Sequence, residues 1–265
     1  PLPMTLSLSL RSLSRLGALA ATLFVVAGAA TAQTSATQGG RDLTQPLTAE
    51  TQAALTPEAV VQLLKDGNQR FLAGRSVERD FLAQIRATGS GQYPMPAILG
   101  CIDSRVPHEI VFDKGVGDVF SARIAGNFIN TDLLGSLEFA TAAAGARVIV
   151  VPGHTECGAV KGACDGVELG NLTATLSNIA PAVYAVRDIE GERASSNRAF
   201  VDAVAHENVD QTVQNIVDRS PVIRGLVEQG RLIIIGAMHD VTTGRVTFDD
   251  AGAITAATLA RQSGR

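Results

Sequence analysis

The chain has 265 residues and a mass of 27.5 kDa; 46% of its residues are hydrophobic and 18% charged, which supports a sizeable core and excludes disorder for the bulk of it. Its 22 basic and 26 acidic residues leave a net charge of −4, so no basic excess is available to neutralise phosphates and nucleic acid is excluded as a partner. Three cysteines cannot build a disulfide framework, and the lack of Trp, with only 2 Tyr, argues against a sugar-stacking platform.

In chain order, the first predicted segment is a signal peptide over residues 1–32. Arg11 and Arg15 form a basic start, residues 16–30 are apolar around Leu19, Leu23, Phe24, Val25 and Val26, and Ala30-Thr31-Ala32 offers a small-x-small cleavage site. The apolar run is too short and Ala-rich for a membrane span. The expected product is a periplasmic or secreted protein with no membrane attachment after cleavage. Export places Cys101, Cys157 and Cys164 in an oxidising compartment, where thiols persist for a reason such as metal ligation.

Residues 33–55 read as a linker and N-terminal arm, and 56–265 as a single catalytic domain. Thr56-Pro57-Glu58 is a helix start with cap, first-turn Pro and acid; Val60, Val61, Leu64, Phe71 and Leu72 give the helix its apolar face, and Gly74 ends it. Residues 96–100 and 118–124 are predicted strands, 132–144 a helix stopped by Gly145, and 147–151 a buried strand of almost pure Val and Ile. Long helices are predicted over 171–189 and 198–219; Phe200, Val204, Val213 and Val217 share a face of the second. A short helix runs from Pro221 to Gly230, followed by a fourth buried strand over 231–236. Thr243-Gly244 turns the chain into 245–248, an antiparallel edge strand. The alternation specifies an α/β fold: a mostly parallel central sheet of about four parallel strands plus the edge strand, flanked by helices.

Sites in such sheets lie beyond the carboxyl ends of the strands. The first strand ends in Cys101-Ile102-Asp103-Ser104-Arg105 and the third in Gly153-His154-Thr155-Glu156-Cys157-Gly158. If those strands are neighbours, Cys101, His154 and Cys157 converge, and two thiolates with an imidazole suit zinc. Asp103 can reach the metal or its water, and Arg105 can pair with Asp103. A closed site with Asp103 as fourth ligand fits the same residues. Taken singly, a strand-end Cys is often only a small hydrophobe, and Asp-Ser-Arg is an ordinary solvated loop; both halves at strand ends of one sheet favour the metal. His108 reads as a loop histidine rather than a proton shuttle, His206 as structural, and Cys164 as a buried free thiol. Glu156 supports the ligands or is simply solvated. Gly166 to Gly170 lacks a phosphate-loop lysine.

Taken together, Cys-x-Asp-Ser-Arg at 101–105 and Gly-His-x-x-Cys-Gly at 153–158 resemble the β-class carbonic anhydrases. Gly-Asn-x-Arg-Phe at 67–71, Arg123 with Ala125-Gly126-Asn127, and the stretch opening at Asp240 match as well, so the resemblance spans 57–248. It implies Zn²⁺ on Cys101, His154 and Cys157, an Asp103–Arg105 catalytic dyad, and attack of zinc-bound hydroxide on CO₂ to give bicarbonate and a proton. It further implies a homodimer or homotetramer with the first helix on a partner, and a small apolar pocket from Phe120, Ile124, Phe139 and Gly158, with Gln92 hydrogen-bonding the substrate. Gln92 and Phe120 match the plant-like subtype, and Ile98 stands where the other subtype has Trp. Phe139 and His239 depart from positions where Tyr is common. The rival functions are a CS₂ or COS hydrolase on this scaffold, an exported zinc-binding protein without catalysis, and an interaction module.

Overall fold

A computed structural model describes residues 37–38 and 41–262. The expected signal segment and most of the expected linker lie outside the described residues. The chain enters through a two-residue antiparallel ladder, β1 (Thr37–Gln38) against β2 (Arg41–Asp42). Leu43 and Leu47 are then buried, and α1 (Ala49–Ala53) starts at a Thr48 capping box. Buried Gln52 donates to Pro94 O (2.7 Å) and Ala144 O (2.9 Å). The arm over 41–55 is thus packed on the domain, a contact that its polar composition conceals.

Helix α2 (Pro57–Leu72) starts at the Thr56 cap, as the sequence indicates. Helix α3 (Phe81–Thr88) follows an Asp80 cap. The remaining elements are β3 (Pro96–Gly100), α4 (His108–Val111), β4 (Phe120–Arg123), α5 (Thr131–Glu138) with a π-helical turn Phe139–Ala143, β5 (Val148–His154), α6 (Gly158–Cys164), α7 (Gly170–Ser177), α8 (Ala180–Ala185), α9 (Arg198–Arg219), α10 (Pro221–Glu228), β6 (Ile233–His239), β7 (Val246–Phe248) and α11 (Ala256–Gln262). The main sheet has the order β4-β3-β5-β6-β7, with only β7 antiparallel.

Side chains alternate across the sheet, and both faces are covered. Val148, Val150, Ile233, Ile235 and Ile98 join Val60, Val61 and Leu64 of α2. Ala97, Leu99, Ile149, Val151 and Ile234 meet Val209, Val213, Ile216 and Val217 of α9 and Ile223, Leu226 and Val227 of α10. Burial on both faces is why the strands read as unbroken apolar runs. Each large aliphatic side chain withdrawn from water contributes about 1.5–3 kcal/mol.

Three expectations are corrected. The predicted helix 171–189 is two helices, α7 and α8. Pro181 cannot donate in the first turn of α8, and Asn178 Nδ2 takes up the Ala174 and Thr175 carbonyls at the break. The predicted helix 132–144 widens at Phe139, where Ala144 N donates to Phe139 O (2.9 Å). Strand β5 runs past Val151 to His154, because Pro152, Gly153 and His154 stay paired with Ala237, Met238 and His239. Among the described residues, no helix is long and apolar enough to cross a membrane.

Candidate metal centre

Strands β3 and β5 are adjacent and parallel, so their carboxyl ends open side by side. Cys101 directly follows β3, His154 is the last residue of β5, and Cys157 is the N-cap of α6. All three are buried, and their ligand atoms lie within 4.8 Å of one another. The Cys101 and Cys157 sulfurs are 3.9 Å apart. Tetrahedral zinc with Zn–S bonds of about 2.3 Å sets two sulfurs roughly 3.8 Å apart. His154 Nδ1 faces Thr155 O at 2.9 Å, which fixes the proton on Nδ1 and turns the Nε2 lone pair inward. Nε2 is buried with no hydrogen-bond partner among the described residues. An orphaned imidazole nitrogen beside two thiols fits a soft divalent metal.

The electrostatics agree. The neighbouring Cys157 S–H stabilises a Cys101 thiolate, with help from Gly126 N (3.4 Å), and lowers its pKa. The Cys157 thiol is pushed far up by the Cys101 sulfur beside it and by burial. Both can be anionic together only with a cation between them.

Asp103 lies at the mouth, its Oδ2 3.9 Å from His154 Nε2. Arg105 grips it with Nε on Oδ1 (2.9 Å), Nη2 on Oδ2 (2.7 Å) and the backbone N on Oδ1 (2.9 Å). These bonds hold the Asp103 carboxyl well below the usual carboxylate range. Arg105 Nη2 also reaches Glu156 O (3.3 Å). Glu156 has φ 58°, the left-handed turn that directs this carbonyl to Arg105, and its side chain pairs with Lys161.

Supports to which the sequence reading gave no role surround the loop. Arg123 donates to Cys101 O (2.8 Å) and to Asp103 O. Gly126 (φ 83°) turns the chain where any Cβ would meet Ile179 Cδ1 at 2.3 Å, and Asn208 Nδ2 fixes its carbonyl (2.8 Å). His108 is corrected from loop residue to a buried ring at the start of α4. Its Nδ1 meets Ser121 Oγ (2.8 Å), and burial lowers its pKa to about 3. His206 is exposed on α9. Cys164 is half-buried at the end of α6, its thiol pushed up to about 11 by burial.

The expected pocket residues divide. Ile124 N bonds Gly100 O (3.1 Å), and its side chain packs on the cluster that includes Cys101 and Cys157. Gly158, next to Cys157, faces open space. Phe120, by contrast, pairs with Ala97, four residues before Cys101 and therefore roughly 13 Å back along the sheet. It meets Phe139 edge-on, centroids 6.1 Å apart, in a groove of about 730 Å³ beside β4. Gln92 is exposed in the loop before β3. Within one chain, Gln92, Phe120 and Phe139 are not brought to Cys101, His154 and Cys157, because they lie toward the opposite, amino-terminal end of the sheet.

A Cys–His–Cys set at the carboxyl edge of an α/β sheet, with a carboxylate–guanidinium pair beside it, makes this an α/β protein with a cluster that could hold a metal ion. The family model "Carbonic anhydrase" matches residues 96–246. Carbonic anhydrase 2 of Mycobacterium tuberculosis is 36% identical over 200 residues, covering 73% of this chain and 93% of that protein. The carbonic anhydrase of Mycolicibacterium smegmatis is 34% identical over 196 residues, covering 72% and 92%. Among solved structures, tetrameric β-carbonic anhydrases of Sordaria macrospora match with TM-score 0.55 at 25% identity, over 63% of this chain and 85% of that one. A β-carbonic anhydrase of Aspergillus fumigatus matches with TM-score 0.55 at 26% identity, over 69% and 88%. The chain belongs to the β-carbonic anhydrase family and is an enzyme of the carbonic anhydrase class.

Proposed function

We propose that the chain catalyses reversible hydration of CO₂ to bicarbonate and a proton, with zinc on Cys101, His154 and Cys157 and with Asp103 and Arg105 as the working pair. The observation that carries this reading is the placement of Asp103 Oδ2 3.9 Å from the orphaned His154 Nε2, beside the two thiols. Zinc, when bound, supplies a Lewis acid that acidifies water toward neutral pH. The chain supplies the orientation. Arg105 occupies both Asp103 oxygens and keeps the carboxylate ionised, which favours an open fourth position over a closed one. Asp103 then accepts a hydrogen bond from the nucleophile and aims it at CO₂, while Ile124 and Gly158 leave a small, largely apolar approach.

The proposed enzyme is a homo-oligomer of the plant-like subtype in which a second copy brings Gln92, Phe120 and Phe139 to the site. The exposed Phe139 and its groove beside edge strand β4 support this, as does the tetrameric assembly of the Sordaria relatives. It is proposed to act outside the cytoplasm, on the strength of the 1–32 pattern; N-terminal sequencing of the protein from cell fractions tests that point. The central test is stopped-flow CO₂ hydration with zinc measured on the same sample. Rapid turnover with about one zinc per chain is expected. Full zinc with no hydration at any pH would overturn the reading in favour of a CS₂ or COS hydrolase or an inert zinc site.

A further inference from the structure

Glu156 sits between His154 and Cys157 with a φ of 58°. That is the left-handed region, where Gly is at ease and Asn and Asp are enriched, while a longer side chain is uncommon. Such a conformation persists where its surroundings enforce it. Here the enforcing contacts are made by the carboxylate. Lys161, one turn into α6, pairs with Oε2. Arg198 Nε, at the start of α9, lies 3.7 Å from Oε1. Arg198 Nε is itself 3.6 Å from Asp202 Oδ2, one turn further along α9. The Glu156 side chain is thus pinned to two helices.

The pinned side chain fixes the main chain, and the main chain meets Arg105. The Glu156 carbonyl accepts from Arg105 Nη2 at 3.3 Å, and the same nitrogen donates to Asp103 Oδ2 at 2.7 Å. The Arg105 side chain is 48% exposed, so other rotamers are open to it. Two acceptors on one nitrogen, one from the loop after each of β3 and β5, favour the rotamer that lays the guanidinium on Asp103. Without that rotamer, Asp103 Oδ2 still has His154 Nε2 3.9 Å away, and the closed arrangement with Asp103 as fourth ligand becomes the competitor.

We propose that Glu156 is a positioning residue: with Lys161 and Arg198 it forms a latch whose carbonyl holds Arg105 on Asp103 and keeps the fourth ligand position clear. The latch acts through the Glu156 main chain, and its ion pairs serve to hold the left-handed turn. The inference rests on the reading of Asp103 and Arg105 as the working pair. Exposed ion pairs are individually weak, so the latch biases the pair between two arrangements and does not build it.

The test compares Glu156→Gly, Glu156→Val and Lys161→Met in the zinc-loaded enzyme. Glycine adopts this φ freely and a β-branched residue resists it, while both remove the same charge. Lys161→Met is expected to lower kcat/KM about twofold to fivefold, the range an exposed ion pair commands, with zinc content unchanged and Lys161→Arg restoring the rate. Glu156→Val should lose more than Glu156→Gly, and the double variant Lys161→Met/Glu156→Gly should match Glu156→Gly alone. A second readout is independent of turnover. The Nε–H of Arg105, followed by NMR in ¹⁵N-arginine-labelled enzyme and assigned by its absence in Arg105→Lys, should exchange with water faster in Lys161→Met and Glu156→Val than in the wild type. Equal losses in Glu156→Gly and Glu156→Val, or wild-type exchange at Arg105 in Lys161→Met, would overturn the proposal. If the wild type hydrates no CO₂, the proposed activity fails, and the order of exchange rates still decides the latch. If Glu156→Val fails to fold or to hold zinc, Lys161→Met with its Lys161→Arg control decides.

Discussion

Asp103 has both oxygens on Arg105, so its charge and its aim are set by one neighbour. Asp103→Asn keeps the shape but loses the anion, and is expected to retain zinc while kcat/KM falls about 10²–10⁴-fold; stopped-flow rates and metal content on one preparation check this. Lys114 makes a prediction about stability. Its pKa is about 7 folded and about 10.4 unfolded, so between those values the unfolded chain binds more protons and stability rises with pH. The contribution is complete above the unfolded value and lost as pH falls through about 7. Urea midpoints should climb across this window more steeply for the wild type than for Lys114→Met. The convergence of Cys101, His154 and Cys157 was legible in the sequence because Cys-x-Asp-Ser-Arg and Gly-His-x-x-Cys-Gly close two buried strands. His108 was not, because nothing local in Val106-Pro107-His108 announces that Gly100 leaves room for its ring, an added Cβ falling 2.2 Å from Nε2.

At the scale of elements, β3, β5 and β6 were legible from their Val and Ile runs, since a strand covered on both faces can carry little else. The carboxyl end of β5 was hidden: Pro152-Gly153 has the composition of a turn, and only pairing with β6 keeps it extended. The arm and the α7–α8 break were obscured because they depend on contacts distant in sequence, such as Gln52 with Pro94 and Ala144. Helix α2 approaches the end of α4 through Gly67, where a Cβ would stand 2.0 Å from Phe112 O. Backbone cannot step aside as a side chain can, so Gly67→Ala should cost about 1–3 kcal/mol or more. Gly225→Ala, in α10 with open space around it, should instead stabilise by about 0.5–1 kcal/mol. Thermal melts of the two variants should move in opposite directions.

On the scale of the molecule, the sheet separates two sets of residues that the sequence reading placed in one pocket. Cys101, His154 and Cys157 sit at its carboxyl edge, while Phe120 and Phe139 lie back along β4. Sequence motifs report which residues a family uses but not which copy of the chain presents them. Phe139 is 57% exposed, and Phe139→Glu puts a charge where a second copy is proposed to dock. Sedimentation velocity should show a smaller species, with zinc retained and hydration reduced more than about tenfold. A monomeric variant with full activity would refute shared pockets.

The turn that follows His154 is stitched into the sheet: Thr155 N donates to His239 O (2.9 Å), and Val241 N to Thr155 Oγ1 (3.1 Å). Cys101 is held in place through its carbonyl by Arg123. None of these bonds involves an ion. These bonds predict that the polypeptide assembles before the metal binds, unlike small zinc modules that collapse when stripped. Chelated protein should keep hydrogen-exchange protection in β3, β5 and β6, with losses confined to the Cys101–Arg105 loop and the start of α6. A chain delivered unfolded across a membrane would then need no metallated precursor, only a free ion where it comes to rest.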